Sequence, residues 1–301
     1  MAGKESRVFV VLALVANSSI AVIKFIAAGI SGSSAMLAEG FHSLADTGNQ
    51  LFLLRGSSAS RFLPTPRYSF GRGKESFFWS YMVAVFLFVG GGVVAFMEGL
   101  DRVRHPHESV GGLAFSLVVL GIAGLLELLV AFRPAVKEFN RRRGGRRVWR
   151  SIRETKDPTL LVVLFEDTVA VIGVLVAAGG LLLAHFTHEP RWDGAASMVI
   201  GVLLAVTAWI LAIETKSLLV GESASRASRS AIRAAALSVP EVDTVEQLLT
   251  MHLGPDQILV NIDLGLEDGL SGEQVEDVIE RVEARIRADE PMATRVFIEP
   301  T

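Results

Sequence analysis

The chain has 301 residues, half of them hydrophobic, and a formal net charge of −3. Its mean hydropathy of +0.45 is unusual for a soluble domain and ordinary for a membrane protein. Cysteine does not occur, which excludes disulfide bonds and thiolate metal ligands. Any metal site must therefore use histidine nitrogen and carboxylate or carbonyl oxygen, a set that favours zinc or a first-row neighbour over copper(I).

Six apolar segments follow one another along the first 220 residues. Each is long enough, at about 20 residues, to cross ~30 Å of hydrocarbon. They predict transmembrane helices at residues 8–29, 35–54, 77–100, 111–136, 159–184 and 194–219. The first segment is too long for a removable signal peptide and lacks a small-residue cleavage site.

The distribution of positive charge predicts the orientation of these helices. Five Lys and Arg residues lie between the second and third segments, and nine lie between the fourth and fifth. The opposite loops carry none, two and one. Because basic loops stay on the cytoplasmic side, both termini are expected to be cytoplasmic. The basic run at 141–147 could bind nucleic acid or anionic lipid, and its place beside a membrane span favours lipid.

Residues 221–301 have a different character from the rest of the chain. They contain sixteen Asp and Glu against seven Lys and Arg, and they are long enough for a small folded domain. Periodicity and turn signals predict a helix at 223–237, strands at 243–253 and 257–266, a helix at 271–289 and a strand at 294–298. We therefore predict a transmembrane domain, 1–220, followed by a cytoplasmic α+β domain of order α-β-β-α-β, 221–301.

Candidate metal ligands lie within the apolar segments. His42 and Asp46 are four residues apart, so both side chains lie on one face of the second helix. Asp167 in the fifth helix lies at about the same depth, roughly 12–14 Å from the cytoplasmic end. Ionisable groups at this depth are costly and usually mark an ion pathway. We expect His42, Asp46 and Asp167 to bind a metal ion if the two helices are neighbours.

Three further polar residues have two readings each. Glu166 precedes Asp167 but points about 100° away, so it is either a further ligand or a proton-carrying or supporting group. Asn49 of the second helix is a candidate supporting residue or proton relay. Glu127 in the fourth helix is either a proton relay or the partner of a polar neighbour such as Lys24 of the first helix.

These features together resemble the cation diffusion facilitators, the zinc-transporter family of metal–proton antiporters. The resemblance covers nearly the whole chain. Its motifs are His42-x-x-x-Asp46 with Asn49, Tyr68-Ser-Phe70-Gly71-x-Gly73-Lys74, Glu98-Gly99, Asp157-Pro158 and Asp167. The adjacent Glu166 and Asp167 resemble a divergent branch that includes the mitochondrial zinc transporter of animals.

The resemblance implies a tetrahedral site with two ligands on the second helix and two on the fifth, four residues apart. Here Val163 occupies the fourth place, and valine cannot bind a metal. Glu166 or water must supply that ligand, or the site has three ligands. The accessory sites of other members are not expected, because Tyr68 and Arg72 stand where histidines would be. His252, the single histidine of the tail, is expected to have a packing or surface role.

From these residues we predict a transporter that exports a divalent cation, with Zn²⁺ favoured, from the cytosol in exchange for protons. Mn²⁺, Fe²⁺ and Co²⁺ remain alternatives, and no enzymatic cofactor is expected. The resemblance implies a homodimer joined by the cytoplasmic domain, and composition hints at a bacterial inner membrane. A non-transporting metal sensor or scaffold is the rival from another class. A metalloenzyme is disfavoured because no His-Glu-x-x-His motif occurs.

Overall fold

The computed structural model describes residues 2–60, 64–106, 112–145, 148 and 158–301. Much of the basic loop between the fourth and fifth predicted spans lies outside this part of the chain, and so do Arg61 and Asp157. Contacts divide the chain into two compact units. One comprises the residues up to 55 together with 79–214, and the other comprises 56–78 and 215–301.

Helices occupy all six predicted membrane positions. α1 is Ala2–Ser31, α2 is Ser34–Ala59, α3 is Glu75–Arg104, α5 is Pro158–Thr187 and α6 is Arg191–Val220. The helix α4 consists of Leu113–Leu126, a π-helical segment Glu127–Phe132, and Arg133–Arg143. Helix α3 also contains a π-helical segment, Leu87–Val93.

Within the described residues, four stretches are long and apolar enough to cross a membrane. They are Glu75–Arg104, Leu113–Arg141, Leu161–Thr187 and Arg191–Val220. α2 is less apolar because it contains buried polar residues, including Glu39 and His42. Large apolar side chains remain exposed on the outer helix faces, among them Val118, Ile122 and Val130. This outward apolar surface is what a lipid environment requires.

Small residues bring α3 and α6 into close contact. A Cβ atom at Gly201 would lie 2.6 Å from Phe96 N and 2.8 Å from Gly92 O. The Ser197 hydroxyl on α6 donates a 2.8 Å hydrogen bond to the Ala95 carbonyl on α3. Such small-residue contacts let membrane helices approach until their backbones touch.

Asp193 of α6 caps the beginning of α2. Its carboxylate accepts hydrogen bonds from the Ser33 hydroxyl at 2.5 Å, the Ser34 amide at 2.6 Å and the Ser34 hydroxyl at 2.9 Å. An acidic group is favourable there because the first amides of a helix have no partner within it. Asp193 is only 3% exposed, so this cap is part of the protein interior.

The tail folds as a two-layer domain in the predicted order. It contains α7 Arg226–Leu237, β1 Val242–Gly254, β2 Gln257–Leu266, α8 Gly272–Asp289 and β3 Ala293–Pro300. β2 is the central strand, antiparallel to β1 and parallel to β3. Its alternate residues enter the core against apolar residues of both helices. Ser271 and Gln274 form a capping box at the start of α8.

Substitution at Gly201 tests the contact between α3 and α6. We expect Gly201→Ala to lower the melting temperature of the detergent-purified protein, because the new methyl group would collide with the α3 backbone. Gly179→Ala on α5 is the matched control, since nothing lies within 4 Å of the added atom. It should be neutral or stabilising by up to about 1 kcal/mol. Equal effects of the two substitutions would contradict this packing.

Candidate metal centre

A buried polar stripe runs along α2. Glu39, His42, Asp46 and Asn49 follow one another at helical spacing, so they share one face. Glu39, His42 and Asn49 are fully buried, and the Asp46 side chain is 18% exposed. An apolar helix would bury such groups only where other helices supply partners or where a polar ligand binds.

His42 and Asp46 present unsatisfied polar atoms to the interior. The distance from His42 Nδ1 to Asp46 Oδ1 is 3.5 Å. Among the described residues, neither ring nitrogen of His42 has a hydrogen-bond partner, and the same holds for Asp46 Oδ1. Asp167 Oδ2 on α5 is also buried without a partner there. Buried polar atoms are rarely left unpaired, and a divalent cation would satisfy all three groups.

Asn49 and Glu166 connect α2 to α5. The Asn49 side-chain amide donates a short hydrogen bond to Glu166 Oε1. Glu166 is only 7% exposed, and it interacts electrostatically with both Asp46 and Asp167. α2 and α5 are therefore neighbours, which was the condition for a shared site. This hydrogen bond fixes the orientation of the Glu166 carboxylate, and a supporting role of Asn49 at a metal site stays a prediction.

The predicted ligands are near one another but do not form a closed coordination shell. In the part of the chain that the structure describes, no three His, Cys, Asp or Glu side chains are arranged to hold a metal ion. Coordination by His42, Asp46, Asp167 and Glu166 thus stays a prediction. A closed shell would require rotation of these side chains or a closer approach of α2 and α5.

A buried ion triad lies beside the polar stripe. Lys24 Nζ of α1 is 2.8 Å from Glu39 Oε2 of α2 and 3.0 Å from Glu127 Oε1 of α4. The pairing of Lys24 with Glu127, one of the two roles considered for Glu127, is present in the structure. Glu39 was not singled out from the sequence, although its position three residues before His42 places it on the same helical face.

Two local features lie beside the triad. Glu127 is the first residue of the π-helical segment of α4, and such segments occur frequently at functional sites. Gly173 of α5 faces Glu39 Oε1, and a methyl group at this position would collide with that oxygen. The triad therefore joins α1, α2 and α4 and leaves room for only a glycine on α5.

Other residue types occupy the positions where the family resemblance implies accessory metal sites. The guanidinium of Arg72 lies 5.1 Å from the centre of the Tyr68 ring, and Arg72 pairs with Glu75. A guanidinium offers no lone pair, so Arg72 cannot bind a metal ion at this position. His252 lies within β1 and is 1% exposed, which agrees with a packing role.

Comparison with protein-family models assigns both parts of the chain. Residues 10–220 match the cation efflux transmembrane domain, and residues 224–300 match the cytoplasmic domain of cation efflux proteins. The two matches meet between α6 and α7.

Comparison with known proteins identifies several relatives. The chain is 32% identical to the human mitochondrial proton-coupled zinc antiporter SLC30A9 over 213 residues, 70% of this chain and 37% of the relative. It is 29% identical to metal tolerance protein C4 of Arabidopsis thaliana over 84% of this chain and 55% of that protein. Zinc transporter ZitB of Escherichia coli is 24% identical over 79% of this chain and 71% of that protein. The chain thus spans 37% of the length of the human relative and 55% of the length of the Arabidopsis relative.

Lys24 provides a test of the buried ion triad. We expect Lys24→Met to destabilise the protein by about 3–5 kcal/mol, because Glu39 and Glu127 would remain buried without a cation. Replacing these carboxylates as well, with Glu39→Gln and Glu127→Gln, should recover much of that loss. Thermal unfolding in detergent measures both effects. The control is Lys137→Met at an exposed position on α4, which should change little. A Lys24→Met protein that unfolds at the same temperature as the wild type would contradict the triad.

Proposed function

Because the chain belongs to the cation efflux family, we propose that it exports Zn²⁺ from the cytosol by alternating access, in exchange for protons. The observation that carries this proposal is the set of unpaired buried atoms on His42, Asp46 and Asp167. They lie on two neighbouring helices of a transmembrane domain. The names of the relatives, which include zinc transporters and a proton-coupled zinc antiporter, support the choice of ion. Members of the family are transporters and not enzymes.

The donor set suits zinc. An imidazole nitrogen with carboxylate oxygens is typical of Zn²⁺ sites and less suited to Ca²⁺ or Mg²⁺. His42, Asp46 and Asp167 would supply three ligands. Glu166 is positioned to supply the fourth in place of Val163, with Asn49 orienting its carboxylate. Mn²⁺, Fe²⁺ and Co²⁺ accept the same ligands, and isothermal titration with each ion would rank them.

Proton exchange follows from competition at the same atoms. Carboxylate and imidazole bind a metal only when they are deprotonated, so metal binding displaces protons and protonation releases metal. Protons arriving from outside would release the ion from the outward-facing site. Glu127 can take part through the triad, where its Oε2 has no hydrogen-bond partner among the described residues. Asn49 of α2 would connect the Glu166 carboxylate of α5 to this proton exchange through its hydrogen bond.

Placement in the membrane follows from the basic loops. We infer that both termini are cytoplasmic, because Lys and Arg concentrate in the loops after α2 and α4. In a bacterium the protein would lie in the inner membrane. Export then means that Zn²⁺ crosses the membrane away from the side on which the acidic tail lies.

A non-transporting metal sensor or scaffold is the second candidate. Two observations favour it: Val163 replaces an expected ligand, and the predicted ligands do not form a closed shell in the described part of the chain. A sensor would bind metal with no flux. The same transport experiment distinguishes it from the transporter.

Transport in proteoliposomes tests the proposed site. We expect Asp46→Ala and Asp167→Ala to abolish Zn²⁺ flux, since each removes a carboxylate that would hold the ion. Glu166→Gln should reduce flux less than Asp167→Ala if water can replace one ligand. A pH-sensitive dye inside the vesicles should report protons moving against the metal.

The control for these variants is Asp101→Ala near the C-terminal end of α3, where the carboxylate is 69% exposed. It should leave flux unchanged. A fully active Asp167→Ala protein would refute the site, and metal flux without proton counterflow would refute the exchange. Metal binding by the wild-type protein with no flux would favour the sensor.

We infer that the cytoplasmic domain joins two copies of the chain. The basis is the match of residues 224–300 to the cytoplasmic domain of cation efflux proteins, together with the folded core of α7, α8 and the sheet. We expect the full chain to have the mass of a dimer in detergent, and a chain ending at residue 220 to be largely monomeric. Light scattering measures this. A dimer of unchanged stability after truncation would contradict the inference.

A further inference from the structure

A cavity of about 480 Å³ opens between the loop before α3, the end of α6 and strand β1. All of its lining residues belong to the same compact unit. Its size lies in the range of small-molecule sites. The loop is held against the sheet at Gly73, because a Cβ atom there would overlap the Leu253 carbonyl of β1. One wall of the cavity is therefore fixed in position.

The polar part of the lining has a net charge of one positive, because Arg72, Lys74 and Glu75 all line the cavity and Arg72 pairs with Glu75. Lys74 Nζ lies 3.5 Å from the Leu219 carbonyl and 3.7 Å from Met251 Sδ. Both contacts are long and neither acceptor is charged, whereas an ammonium group has three strong donors. The Arg72 guanidinium lines the same cavity beside the Tyr68 ring. With Arg72 paired to Glu75, the Lys74 ammonium is the charge that attracts an anion to the cavity.

The remaining lining is apolar. Phe70 and Phe78 are 48% and 45% exposed, and Leu219 and Met251 also line the cavity. An apolar surface beside an ammonium group matches a ligand that has an anionic head and a hydrocarbon chain. A free inorganic anion would leave the aromatic residues unused.

The place of the cavity along the chain indicates where such a ligand comes from. Glu75 is the first residue of α3, and Leu219 is the residue before the last of α6; both are membrane-crossing helices. The cavity therefore lies at the end of two spans, where lipid headgroups are located. It is on the side with the basic loops, which attract anionic lipids.

We propose that this cavity binds an anionic phospholipid, with the headgroup phosphate on Lys74 and the first part of one acyl chain against Phe78 and Leu219. The lipid would connect the loop before α3 to the end of α6 and to β1. This binding does not depend on which metal ion the protein carries, or on whether it transports one.

Photo-crosslinking of the purified full chain tests the proposal. The probe is phosphatidylglycerol with a diazirine near the start of one acyl chain, and mass spectrometry locates the labelled peptides. We expect label within residues 68–78 or 215–220, reduced by unlabelled phosphatidylglycerol and unaffected by phosphatidylcholine. Lys74→Gln should weaken the apparent affinity about five-fold, since one cationic contact is lost. Lys74→Arg should retain it and serves if Lys74→Gln does not fold.

The matched control is Lys216→Gln, which removes the same charge from an exposed position on α6 that does not line the cavity. It should label like the wild-type protein. Equal competition by phosphatidylcholine, or equal loss in both glutamine variants, would overturn a specific lipid site. Inorganic phosphate that competes as well as the lipid would assign the cavity to a soluble anion. Label missing from dimers but present in monomers would assign it to a second copy of the chain.

Discussion

The cost of leaving polar groups unpaired in hydrocarbon governs this structure. α2 carries a serine pair at its start and then Glu39, His42, Asp46 and Asn49 on one face, and none of these can face lipid tails without a penalty of several kcal/mol for each unsatisfied group. α2 must therefore be surrounded by helices that form hydrogen bonds or ion pairs with its polar groups. The arrangement of the transmembrane domain follows from that requirement.

The contacts of α2 are made to different helices at different heights. Asp193 of α6 holds its start, Lys24 of α1 and Glu127 of α4 meet Glu39, and Glu166 of α5 meets Asn49. His42 and Asp46 lie between these contacts, and their unpaired atoms face the interior. Movement of α2 would carry these paired groups along or exchange their partners. The triad and the candidate metal centre thus share residues of one helix, α2.

The loop before α3 shows how one loop can change its chemistry within a family. In other members the positions of Tyr68 and Arg72 hold metal ligands, by the resemblance of the motifs, whereas here an arginine stacks on a tyrosine next to Lys74. The loop keeps its glycine contact with β1 and faces an apolar cavity. A cationic, partly apolar surface at the end of two spans suits a lipid headgroup better than a metal ion.

The sequence alone determined the features that depend on local patterns. Hydropathy located six helices, four of which are long and apolar enough in the described residues to cross a membrane. Periodicity and capping residues located the elements of the tail, and the motifs around His42 and Asp167 identified the family. Helix ends were less accurate: α2 continues to Ala59, five residues past its predicted end, since hydropathy does not show where a helix stops in the interface. Only the tertiary structure decided which polar groups meet. Glu39 with Lys24, Asp193 with the start of α2, and Asn49 with Glu166 are pairs distant in the chain, and no local pattern encodes such a contact.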